Sequence, residues 1–287
     1  MKSYLSLIKF SHTIFAMPFA LLGFFLAWLS APGVFDWKLL FLVVLCMVFA
    51  RSAAMAFNRY LDRDIDRQNP RTRTREIPSG VIRPNAALGF VLANVVLFLL
   101  CTWWINPLCF VLSPVALAVV LGYSYTKRFT SLCHFVLGLG LSLAPIGAYL
   151  AVRGTFDLLP LLYSAAVLFW VAGFDIIYAL QDEDFDRSLH LNSIPARLGK
   201  KKALLLSRAL HFGSALFILA AAGLLYVHYD CFRFLNALSA MVFIGMLFYQ
   251  HALVKPDDLS RVNLAFFTSN GIASLAFSSI LILDIFI

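Results

Sequence analysis

Charge is what this sequence has least of. Asp, Glu, Lys and Arg make up 13% of its 287 residues against 61% hydrophobic ones, and the mean hydropathy is +0.85. So little charge excludes a water-soluble globule and places the chain in a bilayer. Its five cysteines, Cys46, Cys101, Cys109, Cys133 and Cys231, form no CxxC pair and lie in or beside apolar runs. They read as small hydrophobes of helices rather than a redox motif. The six histidines include neither HExxH nor an acid-flanked pair, which argues against zinc. No small-residue cleavage pattern follows the apolar stretch from about Thr13 to Trp28, although Lys2 and Lys9 flank it, so a retained first helix is expected. A formal charge of +8 does not point to nucleic acid, because the basic residues sit in short connections beside hydrophobic spans.

What is abundant is apolar length. Runs of about 20 residues, enough to cross roughly 30 Å of hydrocarbon as a helix, fall at about 12–30, 37–57, 85–105, 107–126, 132–151, 157–181, 203–226, 232–253 and 262–286. The expectation is an all-α polytopic membrane protein of nine transmembrane helices, with residues 1–287 forming one domain. The third and fourth spans are parted only by Asn106-Pro107. With the N-terminus inside, nearly all Lys and Arg fall on that side and only Lys38, Arg153 and Arg233 on the other. The positive-inside bias then makes the N-terminus and the charged loops cytoplasmic and the C-terminus external, in an inner, cytoplasmic or organellar inner membrane. Trp103 and Trp104 read as members of an interfacial belt.

Charges of both signs concentrate at two places on the inside face, AFNRYLDRDIDRQNPRTRTREIPSG from Ala56 to Gly80 and DIIYALQDEDFDR from Asp175 to Arg187. Helical residues four apart differ by about 40° around the axis, so Asn58, Asp62 and Asp66 stack on one face if the helix continues, as do Asp182 and Asp186. Asp64 and Asp184, turned about 200° from Asp62 and Asp182, point elsewhere. Stacked carboxylates near a membrane repel unless a cation lies among them. Magnesium suits few protein carboxylates together with phosphate oxygens. Alternatively each cluster solvates a helix end, with Asp62 and Asp66 paired to Arg59, Arg63 or Arg67. Two such clusters, both following an apolar span on one membrane side, favour the metal reading.

These motifs resemble the UbiA superfamily of intramembrane aromatic prenyltransferases over most of the chain. NRYLDRDID at Asn58 to Asp66 is similar to the family's first aspartate-rich motif, NPRTRTREIPSG to its arginine-rich continuation, and YSYTKR at Tyr123 to Arg128 to its loop after helix four. DIIYALQDEDFDR resembles the second motif, and SIPARLGKK from Ser193 the segment after it. The resemblance implies nine helices around a central cavity with both motifs at its cytoplasmic mouth. It also implies that Asn58, Asp62, Asp66, Asp182 and Asp186 hold Mg2+ on a polyprenyl diphosphate. Tyr123, Lys127 and a member of the Arg71/Arg75 group contact the diphosphate, and Arg128 matches a position of acceptor handling, where its fork could engage an aromatic carboxylate.

The implied reaction breaks an allylic C–O bond, leaving negative charge on diphosphate and positive charge on a prenyl carbon. Aromatic faces in a dry cavity stabilise the cation, and the ring of a phenolic acceptor attacks it and then loses a proton. Asp175, inside a span, is a candidate for proton handling or acceptor positioning. KFSHTIFAMPFALLG resembles quinone-pathway enzymes, particularly a naphthoate branch, and lacks the RxDKPIG-like stretch of 4-hydroxybenzoate enzymes, so both acceptors stay open. A phosphotransferase of activated alcohols would place DG and AR pairs ahead of a GxxxDxxxD motif, whereas Phe57 and Asn58 precede the acids here. A secondary transporter would hold its ionisable residues nearer mid-bilayer.

Overall fold

The computed structural model describes residues 2–8, 15–30, 33, 35–229 and 233–287. Lys9, the first residues of the 12–30 span and Cys231 lie outside the described residues. Thirteen α-helices and no strand occur among them: α1 (Lys2–Leu7), α2 (Met17–Ser30), α3 (Trp37–Leu61), α4 (Arg63–Gln68), α5 (Pro84–Ile105), α6 (Pro107–Thr126), α7 (Cys133–Arg153), α8 (Leu158–Ala179), α9 (Glu183–Ser188), α10 (Ile194–Leu198), α11 (Lys200–His228), α12 (Phe234–Leu253) and α13 (Ser269–Asp284). Eight are long and apolar enough to cross a membrane, counting α8 with its continuation to Ser188 and α13 with the turn before it. The expected ninth, α2, has 14 described residues, a rise of about 21 Å.

Local chemistry sets the ends. Asp36 caps α3 by accepting from the Leu39 N–H at 3.0 Å. Asn106 caps α6 through the Cys109 N–H at 2.8 Å, and its amide donates to the Leu150 carbonyl of α7 at 2.9 Å. Pro107 at the first helical position and the extended Asn106 make the sharp break between α5 and α6. Gly154, at φ 65°, closes α7 in the left-handed conformation that L side chains resist.

The interior is built around α8, the most buried span, which packs on α7 and α11. Small residues allow close approach, as helix association in membranes requires. A Cβ on Gly138 of α7 would meet the Leu168 carbonyl of α8, and one on Gly173 of α8 would strike the His211 ring of α11. Serines of α11 satisfy the carbonyls they meet, Ser207 bonding Gly173 and Ser214 bonding Ala166, each at 2.8 Å. A π turn at Leu264–Thr268 precedes α13, and Gln250 donates to the Ala265 carbonyl within it at 2.8 Å. Trp170, fully buried, donates to Asn270 at 2.9 Å. On the opposite flank Leu7 and Ile8 seat α1 against Ile77 and Ile82 of the loop after α4. Between these two packed regions lies a cavity bordered by α3, α5, α6, α7 and α8.

Candidate active site

The cavity is about 1150 Å³. Its floor and walls are apolar, with Val43, Met47, Phe98, Leu112 and Leu143 among the lining. Val115 of α6 and Leu139 of α7 border it while 62% and 40% exposed, so its apolar part reaches the lipid-facing surface beside these helices. At the other end it is rimmed by Asn58, Asp62, Asp66, Arg71, Arg75, Tyr123, Lys127, Asp175, Asp182 and Asp186.

The two acidic motifs do not continue as uninterrupted helices, the condition on which a spacing of four was expected to stack these residues on one face. Asp62 (φ −89°, ψ 7°) ends α3 and precedes α4, and Asp182 (φ −104°, ψ 7°) stands between a 3-10 turn at Leu180–Asp182 and α9. Both occupy the bridge region of backbone space. The helical register nevertheless persists across the first kink, because the Asp62 N–H bonds Asn58 O at 2.9 Å and the Asp66 N–H bonds Asp62 O at 2.7 Å. The rotational consequence therefore holds: Asp66 and Asp186 are buried while Asp64 and Asp184 are exposed.

Four of the five acids on the rim, Asp62, Asp66, Asp182 and Asp186, each meet a Lys or Arg. Arg71 grips Asp182 bidentately, through Nε to Oδ1 at 3.0 Å and Nη2 to Oδ2, while Nη1 donates to the Tyr178 hydroxyl at 2.8 Å. Asn69 adds a bond to Asp182 Oδ1 at 3.2 Å. Arg75 Nη1 donates to Asp66 Oδ1 at 2.7 Å, Lys127 Nζ lies 2.8 Å from Asp186 Oδ1, and Arg128 Nη2 lies 3.0 Å from Asp62 Oδ1. None of Arg59, Arg63 and Arg67 pairs with Asp62 or Asp66 among the described residues: Arg63 contacts Asp64 at 3.8 Å and the Tyr60 carbonyl at 2.8 Å.

Burial and charge compete at this rim. Burial pushes the Asp62 carboxyl up, outweighing the pull of Arg128 and Lys127. Burial works against the charges of Lys127 and Arg71, but Asp186 and Asp182 more than offset it and hold both groups above their ordinary values.

Arg128, expected from the resemblance to handle the acceptor, lies outside the cavity lining. Its guanidinium is committed to Asp62 and to the Leu61 carbonyl at 2.9 Å. Besides the paired Arg71 and Arg75, two arginines of α3 line the cavity with no ion pair among the described residues and with a buried Nε that lacks a hydrogen-bond partner: Arg59, next to Asn58, and Arg51, in the middle of the helix. The signal of Arg51 was available as a lone arginine inside an apolar run. His134, also missed, borders the cavity one residue into α7 and contacts Asp175 at 2.6 Å.

The cavity rim fits magnesium in its donor chemistry. Asp66 Oδ2 and Asp186 Oδ2 are buried without any hydrogen-bond partner, so each offers a hard anionic oxygen for which the protein supplies no donor. No group of three His, Cys, Asp or Glu converges on one point among the described residues. Such a site suits a cation that takes few protein carboxylates and completes its shell with diphosphate oxygens and water.

Comparison with known proteins places this arrangement in a family. The model of the UbiA prenyltransferase family matches residues 16–272. A 4-hydroxybenzoate octaprenyltransferase of Aliivibrio fischeri (strain MJ11) is 30% identical over 258 residues, covering 88% of this chain and 86% of that protein. One from Nitrosomonas europaea is 31% identical over 261 residues, covering 90% and 87%. The apo structure of a UbiA homolog from Aeropyrum pernix K1 superposes with a TM-score of 0.84 at 34% identity, covering 95% of this chain and 98% of that one. A UbiA homolog from Archaeoglobus fulgidus, bound to GPP and Mg2+, shares the fold with a TM-score of 0.75 at 21% identity, covering 99% and 100%. Acids and bases paired around the mouth of a lipid-reaching cavity thus sit in a multi-pass membrane protein that belongs to the UbiA prenyltransferase family and is a prenyltransferase.

Proposed function

We propose that this chain, acting as a single domain, transfers a polyprenyl group from a polyprenyl diphosphate to the ring of 4-hydroxybenzoate in respiratory quinone biosynthesis, with Mg2+ on the diphosphate. The observation that carries it is the division of charge in the cavity: four acid–base pairs at the rim and, along α3, two arginines without an ion pair among the described residues, Arg59 beside the rim and Arg51 two turns further in. Relatives named 4-hydroxybenzoate octaprenyltransferases support the acceptor, and the archaeal homolog with GPP and Mg2+ supports the donor and the ion. Lys/Arg bias supports a cytoplasmic rim and N-terminus with the C-terminus across an inner membrane.

The rim acts by exchange of partners. Without substrate, Arg71, Arg75 and Lys127 neutralise Asp182, Asp66 and Asp186. When the diphosphate enters, these cations turn to its oxygens and stabilise the charge that grows as the C–O bond breaks, and Tyr123 adds a hydroxyl at the same rim. The released carboxylates, with Asn58 and Asp62, would hold the ion. Magnesium bound there supplies positive charge to the leaving group. The apolar walls keep water from the allylic cation, and the opening beside Val115 and Leu139 leaves a long tail in lipid.

Arg51 receives the acceptor. An unpaired guanidinium inside a cavity presents a fork that a carboxylate fills bidentately, and an aromatic acid held by its carboxylate turns its phenolic end towards the site of ionisation. Asp175 takes the ring proton. Purified protein incubated with Mg2+, a polyprenyl diphosphate and either 4-hydroxybenzoate or a dihydroxynaphthoate tests the reading by product mass. Prenylated 4-hydroxybenzoate is expected, prenylation of the naphthoate alone would overturn the acceptor, and product formed equally in excess EDTA would overturn the metal.

A further inference from the structure

Asp175 sits within α8, where an ionised carboxylate is costly and its direction must be enforced. Three groups in line enforce it. The Ile194 N–H donates to His134 Nε2 at 3.3 Å, and His134 Nδ1 lies 2.6 Å from Asp175 Oδ2. Because Nε2 accepts a hydrogen bond, the ring proton must be on Nδ1, where it is donated to the carboxylate. The His134 ring is buried at 3% exposure, so neither bond is traded with water.

The outer end of the line is fixed as well. Ile194 is the first residue of α10, where a helix leaves N–H groups without intrahelical partners, and His134 satisfies one while Ser193 caps another through the Ala196 N–H at 3.3 Å. The strand of chain that brings Ile194 there is itself anchored, with Leu191 N–H on Asp186 O and Asn192 N–H on Lys127 O, each at 2.8 Å. At the inner end, Asp175 borders the cavity and keeps 22% of its side chain accessible. Its Oδ2 is occupied by histidine, and Oδ1 is left for the cavity.

We propose that His134 is the positioning residue of the transfer: held by the Ile194 N–H, it fixes the rotamer of Asp175 so that Oδ1 takes the proton from the prenylated ring carbon. The step balances. The donor's C–O bond breaks with its electron pair leaving on diphosphate, a ring π pair forms the new C–C bond, the ring C–H pair returns to the ring, and the proton passes to Asp175. Histidine keeps its own proton on Nδ1 throughout. The inference rests on the aromatic acceptor proposed above.

Two variants separate positioning from proton carriage and from packing. His134→Gln carries a donor and an acceptor on one planar head and can keep both bonds, whereas His134→Leu keeps neither. With 4-hydroxybenzoate and a polyprenyl diphosphate, H134L is expected to lose about 10- to 100-fold in kcat, the scale of a lost orienting partner or base, at unchanged KM for the donor. Acceptor deuterated ortho to its hydroxyl should then show a primary isotope effect in H134L that wild type lacks, because deprotonation has become slow. H134Q should stay within about threefold of wild type.

Wild-type kcat in H134L, or a loss with no isotope effect in a variant that retains its thermal midpoint, overturns the inference. H134Q as impaired as H134L overturns it in favour of histidine as the proton carrier. A wild-type protein that prenylates no aromatic acid overturns the proposed function and this step with it, whereas prenylation by wild type and H134L alike overturns this step alone.

Discussion

The two acidic motifs share a backbone and differ in how they are neutralised. Each kinks at its first aspartate, Asp62 or Asp182, buries the aspartate four residues on and exposes the one between. In the first motif Asp66 is held by Arg75, nine residues ahead in the loop that follows, and Asp62 by Arg128 just beyond α6, within the same half of the chain. In the second both acids are held from afar: Asp182 by Arg71 of the first motif's loop, and Asp186 by Lys127 at the end of α6. The second motif is therefore where ion pairing joins the two halves of the chain. Its acids serve the closing of the rim as well as the proposed ion, whereas Asp66 is neutralised within its own segment.

The largest effect should follow loss of either buried acid. Asp66→Asn and Asp186→Asn each remove a charge while keeping shape, and prenyl transfer should fall at least about 100-fold, the scale for removing one group that stabilises developing charge. Single-turnover rates at saturating Mg2+ measure it. An Asp66→Asn protein with wild-type turnover would break the equivalence of the motifs and confine the proposed site to the second.

The fold and the rim were legible because they follow from period and composition. Apolar runs marked the spans, Asn106-Pro107 marked the break between α5 and α6, and a spacing of four separated Asp66 from Asp64 and Asp186 from Asp184. The kinks at Asp62 and Asp182 were not legible. No proline or glycine marks either point, and the change is a rotation of one residue's ψ to 7°. Partner choice was also hidden, since Arg71 lies 111 residues from Asp182 and only the fold brings them together. Arg128 illustrates the same limit: beside Lys127 in sequence, it turns to Asp62 instead of the cavity.

The next effect concerns the cavity and not the rim. Arg51→Leu should raise the KM for 4-hydroxybenzoate about 10- to 100-fold, equivalent to one charged hydrogen-bonding contact, and leave the KM for the polyprenyl diphosphate unchanged. Initial rates with each substrate varied in turn test it. An effect on the donor alone would assign Arg51 to the diphosphate and return the acceptor carboxylate to Arg128.

Loss of Lys127 should expose the cross-chain character of the second motif as stability. Lys127→Met leaves Asp186, fully buried, without its cation, and a destabilisation of about 2 kcal/mol is expected, below the 3–5 kcal/mol of a fully buried pair because Lys127 is a third exposed. Asp186 holds the Lys127 ammonium above its ordinary value. A raised folded value makes the contribution complete below the unfolded lysine value of about 10.4 and removes it as pH rises through the folded one. The gap in thermal midpoint between wild type and K127M should therefore be constant from neutral pH to about 10 and close above it. A gap that closed on acidification instead would mean that Asp186, and not Lys127, carries the titration.

The smallest effect tests whether the kinks preserve the angular division between site and solvent. Asp64 and Asp184 lie two residues from their motif's first acid, and a break that reset the helical register would bring them to the rim in place of Asp66 and Asp186. The register carries through at Asp62 by the two hydrogen bonds that span it, and Asp64 keeps 65% of its side chain exposed with only a 3.8 Å approach to Arg63. An exposed pair at that distance contributes roughly 0–1 kcal/mol and is screened by salt. Asp64→Asn and Asp184→Asn should each change kcat/KM for the diphosphate by less than about twofold and shift stability by no more than about 0.5 kcal/mol. A tenfold loss in Asp184→Asn alone would show that the second kink, unlike the first, rotates its helix on substrate binding, so that the two motifs share a backbone only while the rim is closed on its own ion pairs.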